Sequence, residues 1–153
     1  MKTILTPIDF SGVSDGVIRE AVALARALDG RMVVLTVIEP PVITSEYAPM
    51  VENFAAITAA GEEAATTRLR QIVRQLEAKS IPHTTMRLLG APVVHIVEQA
   101  KKLSADYIVM GSHGHGAVYD LLVGTTTHGV LMRATCPVVI VPQKKNKPGR
   151  KRR

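Results

Sequence analysis

The chain has 153 residues, 46% hydrophobic and only 3% aromatic with no tryptophan, which suits one compact domain with an aliphatic core. So few aromatics argue against a single-stranded nucleic-acid surface built from stacking platforms, and one cysteine, Cys136, excludes an internal disulfide framework or a multi-cysteine zinc site. The net charge of +6 comes from the end of the chain: Lys144–Arg153 holds seven Lys or Arg and no acid, and everything before it is close to neutral.

The opening, MKTILTPID, is too short and lacks the cleavage site of a signal peptide, and no apolar run approaches the roughly 20 residues of a membrane span. The expectation is a soluble, cytoplasmic protein. Thr3–Ile8 reads as a first strand. In the segment after it, Val17, Ala21, Leu24, Ala25 and Leu28 step by three and four, as on one face of a helix, with Ser14 placed to cap it and Gly30 to end it. Arg31–Ile38 is apolar almost throughout, as in a strand covered on both faces.

A proline-bearing loop then leads to a long helix from about Met50 to Ser80, whose second half buries Ala65, Leu69, Ile72, Val73 and Leu76. HTTMRLL is a third strand. Gly90 interrupts the chain, and Pro92 suits the first turn of a helix that buries Val93, Ile96, Val97 and Ala100. ADYIVMG is a fourth strand, Thr125–Ala134 a short helix and PVVIVP a fifth strand. Strands alternating with helices predict an α/β domain, a parallel sheet layered between helices. The basic tail, residues 143–153, has nothing apolar to bury and is expected to be disordered.

In open sheets of this kind, ligands sit beyond the carboxyl ends of the strands where strand order reverses. Two polar features fall at such ends. The first is TPIDFS. Its Asp9 carboxylate suits hydrogen bonds from an adenine or ribose, and equally suits a turn or a helix N-cap. Pro7, Val37 and Met110 fit an apolar slot for a base, or plain core packing. The second is GSHGHGAVYDLLVGTTTHGVL, spaced Gly111-x2-Gly114-x9-Gly124-Thr125. Glycines let the backbone approach a ligand closely and let successive N–H groups converge on an anion. Thr125, Thr126 and Thr127 open a helix whose unpaired N–H groups and positive dipole end suit phosphate.

There is no Gly-Lys-Ser/Thr, so this is not a P-loop, and a dinucleotide fingerprint would follow the first strand. Charge neutralisation then falls to backbone dipoles and to Mg²⁺ held mainly by the phosphates. His113 and His115 invite a metal reading, but Asp120 is the nearest acid, and His113 fits better as a loop-ordering or ligand-contacting group. His128 belongs to the surface or the rim. Cys136 reads as a small buried hydrophobe.

Together, ILTPIDFS, VVLTVIEP, DYIVMGSHGHG and LLVGTTTHGVLMRATCPVVIVP resemble the universal stress protein family of the nucleotide-binding type, over residues 1–142. The resemblance implies an open five-stranded parallel sheet of order 3-2-1-4-5 and a homodimer pairing Pro137–Val141 antiparallel across a two-fold axis. It also implies ATP as ligand. Pro7, Ile8, Asp9, Val37 and Met110 would line the adenine and ribose side, with Gly111, Ser112, His113, Gly114, His115, Gly116 and Ala117 around ribose and phosphates. Gly124, Thr125, Thr126 and Thr127 would meet the phosphates.

Three positions depart from the family's usual pattern: His115, the run of threonines after Gly124, and Ala91 where an acidic cap is common. No residue set assembles a general base. The reading is an ATP-binding, stress-response regulatory module. The alternatives are a slow ATPase or nucleotidyl or phosphoryl transferase, and a protein attached weakly to nucleic acid or an anionic surface through Lys144–Arg153.

Overall fold

The computed structural model describes residues 1–41, 51–114 and 123–143. The elements are β1 (Thr3–Pro7), α1 (Ser14–Ala27), β2 (Arg31–Ile38), α2 (Val51–Ala78), β3 (His83–Leu89), α3 (Pro92–Lys102), β4 (Tyr107–Gly111), α4 (Thr125–Leu131) and β5 (Val138–Val141). All five strands pair in parallel in the order β3-β2-β1-β4-β5, as the family resemblance implied.

Alternation along the strands decides which face each side chain takes. Ile4, Met32, Val34 and Val109 point to the layer containing α1 and α2, where they meet Val17, Ala21, Ala25, Leu69 and Leu76. Their neighbours Leu5, Val33, Leu35, Ile108 and Met110 point to the other layer and meet Ile96, Ala100 and Val130 from α3 and α4. The central strands are therefore buried on both faces, which is why their sequences read as continuous apolar runs. Each fully buried aliphatic side chain among them contributes about 1.5–3 kcal/mol.

The two edges differ. β3 exposes Thr84, Thr85 and Arg87, polar residues that discourage further pairing. β5 is apolar, with Val139 38% exposed and Met132 just before it 70% exposed. At the amino ends of the strands, Lys2 Nζ meets Asp106 Oδ1 at 2.8 Å, and the Thr3 N–H donates to Asp106 Oδ2 at 2.8 Å, tying β1 to the start of β4. The Lys2 hydrogen bond, then the Thr3 amide, hold the Asp106 carboxyl below its ordinary range.

Several local expectations are corrected. Ser14 does not cap α1: the N-cap is Val13, itself in a helical conformation (φ −85°, ψ −15°), and Ser14 is the first helical residue, buried. At the other end, Gly30 closes the last turn of α1 through its N–H to the Ala25 carbonyl at 2.8 Å, with Asp29 before it left-handed (φ 48°). In α3, Gln99 joins the buried face, whereas Val93 and Val97 are half-buried. α4 ends at Leu131, three residues short of Ala134; the N–H groups of Arg133 and Ala134 share the Val130 carbonyl. Among the described residues no helix is long and apolar enough to cross a membrane. Met50 and the tail, Lys144–Arg153, lie outside the described residues.

Gly90 carries a sharp expectation. Its φ is +134°, and a Cβ there would lie 2.6 Å from His95 Nε2, which is itself 2.8 Å from the Leu89 carbonyl oxygen. Gly90→Ala should destabilise the domain by more than about 1 kcal/mol. That lowers the melting temperature by at least about 2–4 °C, readable by circular dichroism.

Candidate functional site

β1 and β4 lie side by side, and the chain leaves them for opposite edges of the sheet. Their carboxyl ends therefore part, and a cleft of about 660 Å³ opens there, within the range of small-molecule sites.

β1 delivers Pro7, and with it Ile8 and Asp9, to the floor. Pairing with β2 continues one residue past β1, through the Ile8 N–H to the Leu35 carbonyl at 2.9 Å. Pro7 and Ile8 are buried, whereas Asp9 is exposed to the opening. Asp9 Oδ1 accepts the Ser11 N–H at 3.0 Å, so this carboxylate serves the turn and does not cap α1. Its Oδ2 lies against Gly114, so that a Cβ on Gly114 would overlap it. Val37 from β2 and Met110 from β4 supply apolar walls. Pro7 and Met110 are buried, as core packing requires, and both line the cleft.

The glycine loop starts from Gly111, at the end of β4. Gly111, His113 and Gly114 line the cleft. Ser112 does not: it is buried, with its Oγ 3.0 Å from His113 Nδ1 and accepting the Gln143 N–H at 3.3 Å. It works as a brace for His113. His115, Gly116 and Ala117 lie outside the described residues.

The far side is the start of α4. The Gly124 N–H donates to the Ser112 carbonyl at 2.7 Å, which closes the loop on itself. The first intrahelical bond runs from the His128 N–H to the Gly124 carbonyl at 2.9 Å. The amides of Thr125, Thr126 and Thr127 precede it, and among the described residues they carry no intrahelical bond, as the first donors of a helix do not. Gly124 and all three threonines line the cleft. The Thr127 hydroxyl is committed elsewhere, donating to the Gly111 carbonyl at 2.8 Å, which leaves Thr125 and Thr126 as the hydroxyls of this turn for a ligand.

Arg68 was not legible as a site residue. It comes from α2 and lines the cleft together with Ala64 and Ala65. Its spacing within α2 places it next to the buried Leu69, and nothing in the local sequence separates it from the other exposed arginines of that helix. Val13 and Leu35 also line the cleft, and Glu39 adds a carboxylate.

Among the described residues no three His, Cys, Asp or Glu converge on a metal position. His83 and His95 both contact main-chain carbonyls, at 2.8 Å each, and His128 is exposed. Cys136 is half-buried. Burial first, and the nearby Asp106 charge second, push its thiol up, so it remains protonated at neutral pH and is a poor nucleophile.

Comparison with known proteins agrees with this geometry. The model of the universal stress protein family matches residues 1–142. The chain is 33% identical over 144 residues to universal stress protein A homolog 1 of Coxiella burnetii, covering 92% of this chain and 95% of that one. It superposes on the structure of MJ0577 from Methanocaldococcus jannaschii with a TM-score of 0.80 at 26% identity, covering 95% and 98% of the two chains. A universal stress protein solved in complex with cAMP shares the fold, with a TM-score of 0.64 at 23% identity over 92% of this chain and 96% of that one. Sheet order, the cleft at the switch point and the match across residues 1–142 lead to one conclusion: the chain belongs to the universal stress protein family.

Proposed function

We propose that this protein binds an adenine nucleotide, ATP in the first instance, in the cleft at the carboxyl ends of β1 and β4, and serves as a nucleotide-dependent regulatory module in stress response. One observation carries the reading. The β4 loop and the first turn of α4 are tied together by the Gly124–Ser112 bond, so that glycine backbone and the amides of Thr125–Thr127 line the same cleft as Asp9. Amides arranged in this way favour phosphate. Pro7, Ile8, Val37 and Met110 offer the apolar surface a purine needs. The complex of a same-fold protein with cAMP supports an adenine ligand.

A Mg²⁺ arriving with the nucleotide takes its oxygens mainly from the phosphates and water, with Asp9 and Glu39 as the carboxylates lining the cleft. A homodimer is part of the proposal. The apolar edge strand β5 exposes Val139, and among the described residues it is paired only with β4, so it offers an open edge to a second copy.

Titration calorimetry with ATP, AMP and cAMP in the presence of Mg²⁺ tests the reading. Saturable heat with one of them, and a preference that follows the phosphate chain, is the expected result. No heat from any purine nucleotide, with the fold intact by circular dichroism, removes it.

A further inference from the structure

Phe10 stands directly after Asp9, with a φ of 60°. This is the left-handed region, disfavoured for an aromatic residue and found mostly where surrounding structure enforces it. A contact to Phe10 comes from far along the chain. Arg68 NH1 donates to the Phe10 carbonyl at 3.0 Å across a separation of 58 residues, and the same guanidinium stands 5.5 Å from the centroid of the Phe10 ring. One side chain thus holds both the carbonyl and the ring of a residue in an unfavourable conformation.

The consequence falls on Asp9. The turn that Phe10 occupies is closed by the Ser11 N–H on Asp9 Oδ1 at 3.0 Å, and it sets Oδ2 against Gly114 of the β4 loop. Asp9, Phe10, Arg68 and Gly114 all line that cleft. We infer that Arg68 is a positioning residue for the nucleotide: from α2 it locks the Phe10 turn and so fixes the Asp9 carboxylate against the β4 loop at the cleft, coupling the seat of α2 to occupancy of the site. This rests on the nucleotide reading above and adds to it a residue on a separate helix that controls the ribose and adenine side.

The test compares wild type, Arg68→Met and Arg68→Lys with adenosine and with Mg-ATP by titration calorimetry. A positioning role weakens both ligands by the same factor, about tenfold. Lysine, which still carries an ammonium donor, recovers part of the loss. In the Asp9→Ala background, Arg68→Met adds no further loss. Weakening of ATP alone, abolished by salt, marks a direct phosphate contact and overturns the inference. A lower melting temperature with unchanged affinity marks a merely structural role and also overturns it.

A second readout needs no ligand. In Arg68→Met the amide resonances of Ser11 and Gly114 should shift while those of β4 stay in place, and unmoved Ser11 and Gly114 signals overturn the inference. A wild-type protein that binds neither adenosine nor ATP sinks the nucleotide reading itself, which is distinguishable from failure at Arg68.

Discussion

Gly111→Ala should cost nucleotide affinity by roughly 5- to 150-fold while leaving a folded protein. A Cβ at Gly111 would stand 2.5 Å from Val13 Cγ1 and 3.2 Å from the His113 carbonyl oxygen. Both neighbours belong to the cleft walls, because Val13 and His113 line it. Neither can yield cheaply. Val13 is 6% exposed at the head of α1, and the His113 contact is to main chain, not to the end of a flexible side chain. Overpacking of this kind costs about 1–3 kcal/mol, and where the strain is relieved by displacing Val13 and His113, both cleft-lining, it falls on binding, at about 1.4 kcal/mol for each tenfold in affinity. Val13→Ala removes the clashing methyl groups, so the Gly111→Ala/Val13→Ala double variant should regain a large part of the affinity. Calorimetry on the four proteins of this cycle is the measurement. Wild-type affinity in Gly111→Ala would mean that contact between α1 and the β4 loop does not shape the site.

Leu35→Ala should lose about 2–5 kcal/mol of stability, a large share of the roughly 5–15 kcal/mol that a domain possesses. Leu35 is fully buried in the layer under α3 and α4, and its carbonyl receives the Ile8 N–H at 2.9 Å. It is also part of the cleft floor. A ligand at 100 times its dissociation constant adds about 2.7 kcal/mol to apparent stability. In Leu35→Ala the nucleotide-induced rise in melting temperature should be smaller than in wild type, because the floor is hollowed. Leu76→Ala supplies the contrast. Leu76 is equally buried but lies in the opposite layer, away from the cleft, so its loss of stability should leave the nucleotide-induced rise intact. Equal ligand shifts in the two variants would place the nucleotide away from Leu35.

Both experiments bear on how the site is divided between local and distant residues. The glycine loop and the threonine turn were legible because their chemistry is local. A strand end, closely spaced glycines and a helix start follow one another along the chain, and each has a recognisable residue signature. Asp9 was legible as a candidate but not as a role, since a carboxylate after a strand serves a turn and a ligand equally well. In the structure one oxygen serves the turn and the other lies against Gly114. Ser112 came with the ligand contacts that the family resemblance implied, yet it is buried and braces His113. Arg68 and Val13 carried no signal, because they reach the cleft from helices whose sequence pattern reports only a buried stripe and an exposed face.

The sequence by itself determined the element order, the parallel sheet between two helical layers and the placing of a glycine-bearing segment at the carboxyl end of β4. These follow from hydrophobic period and backbone chemistry, which act over a few residues. Tertiary structure decided what the cleft is made of: which oxygen of Asp9 faces Gly114, which threonine hydroxyl is already committed to Gly111, and that an arginine 58 residues away secures Phe10. Such contacts join segments distant along the chain, and the distances that create them exist only once the layers have packed.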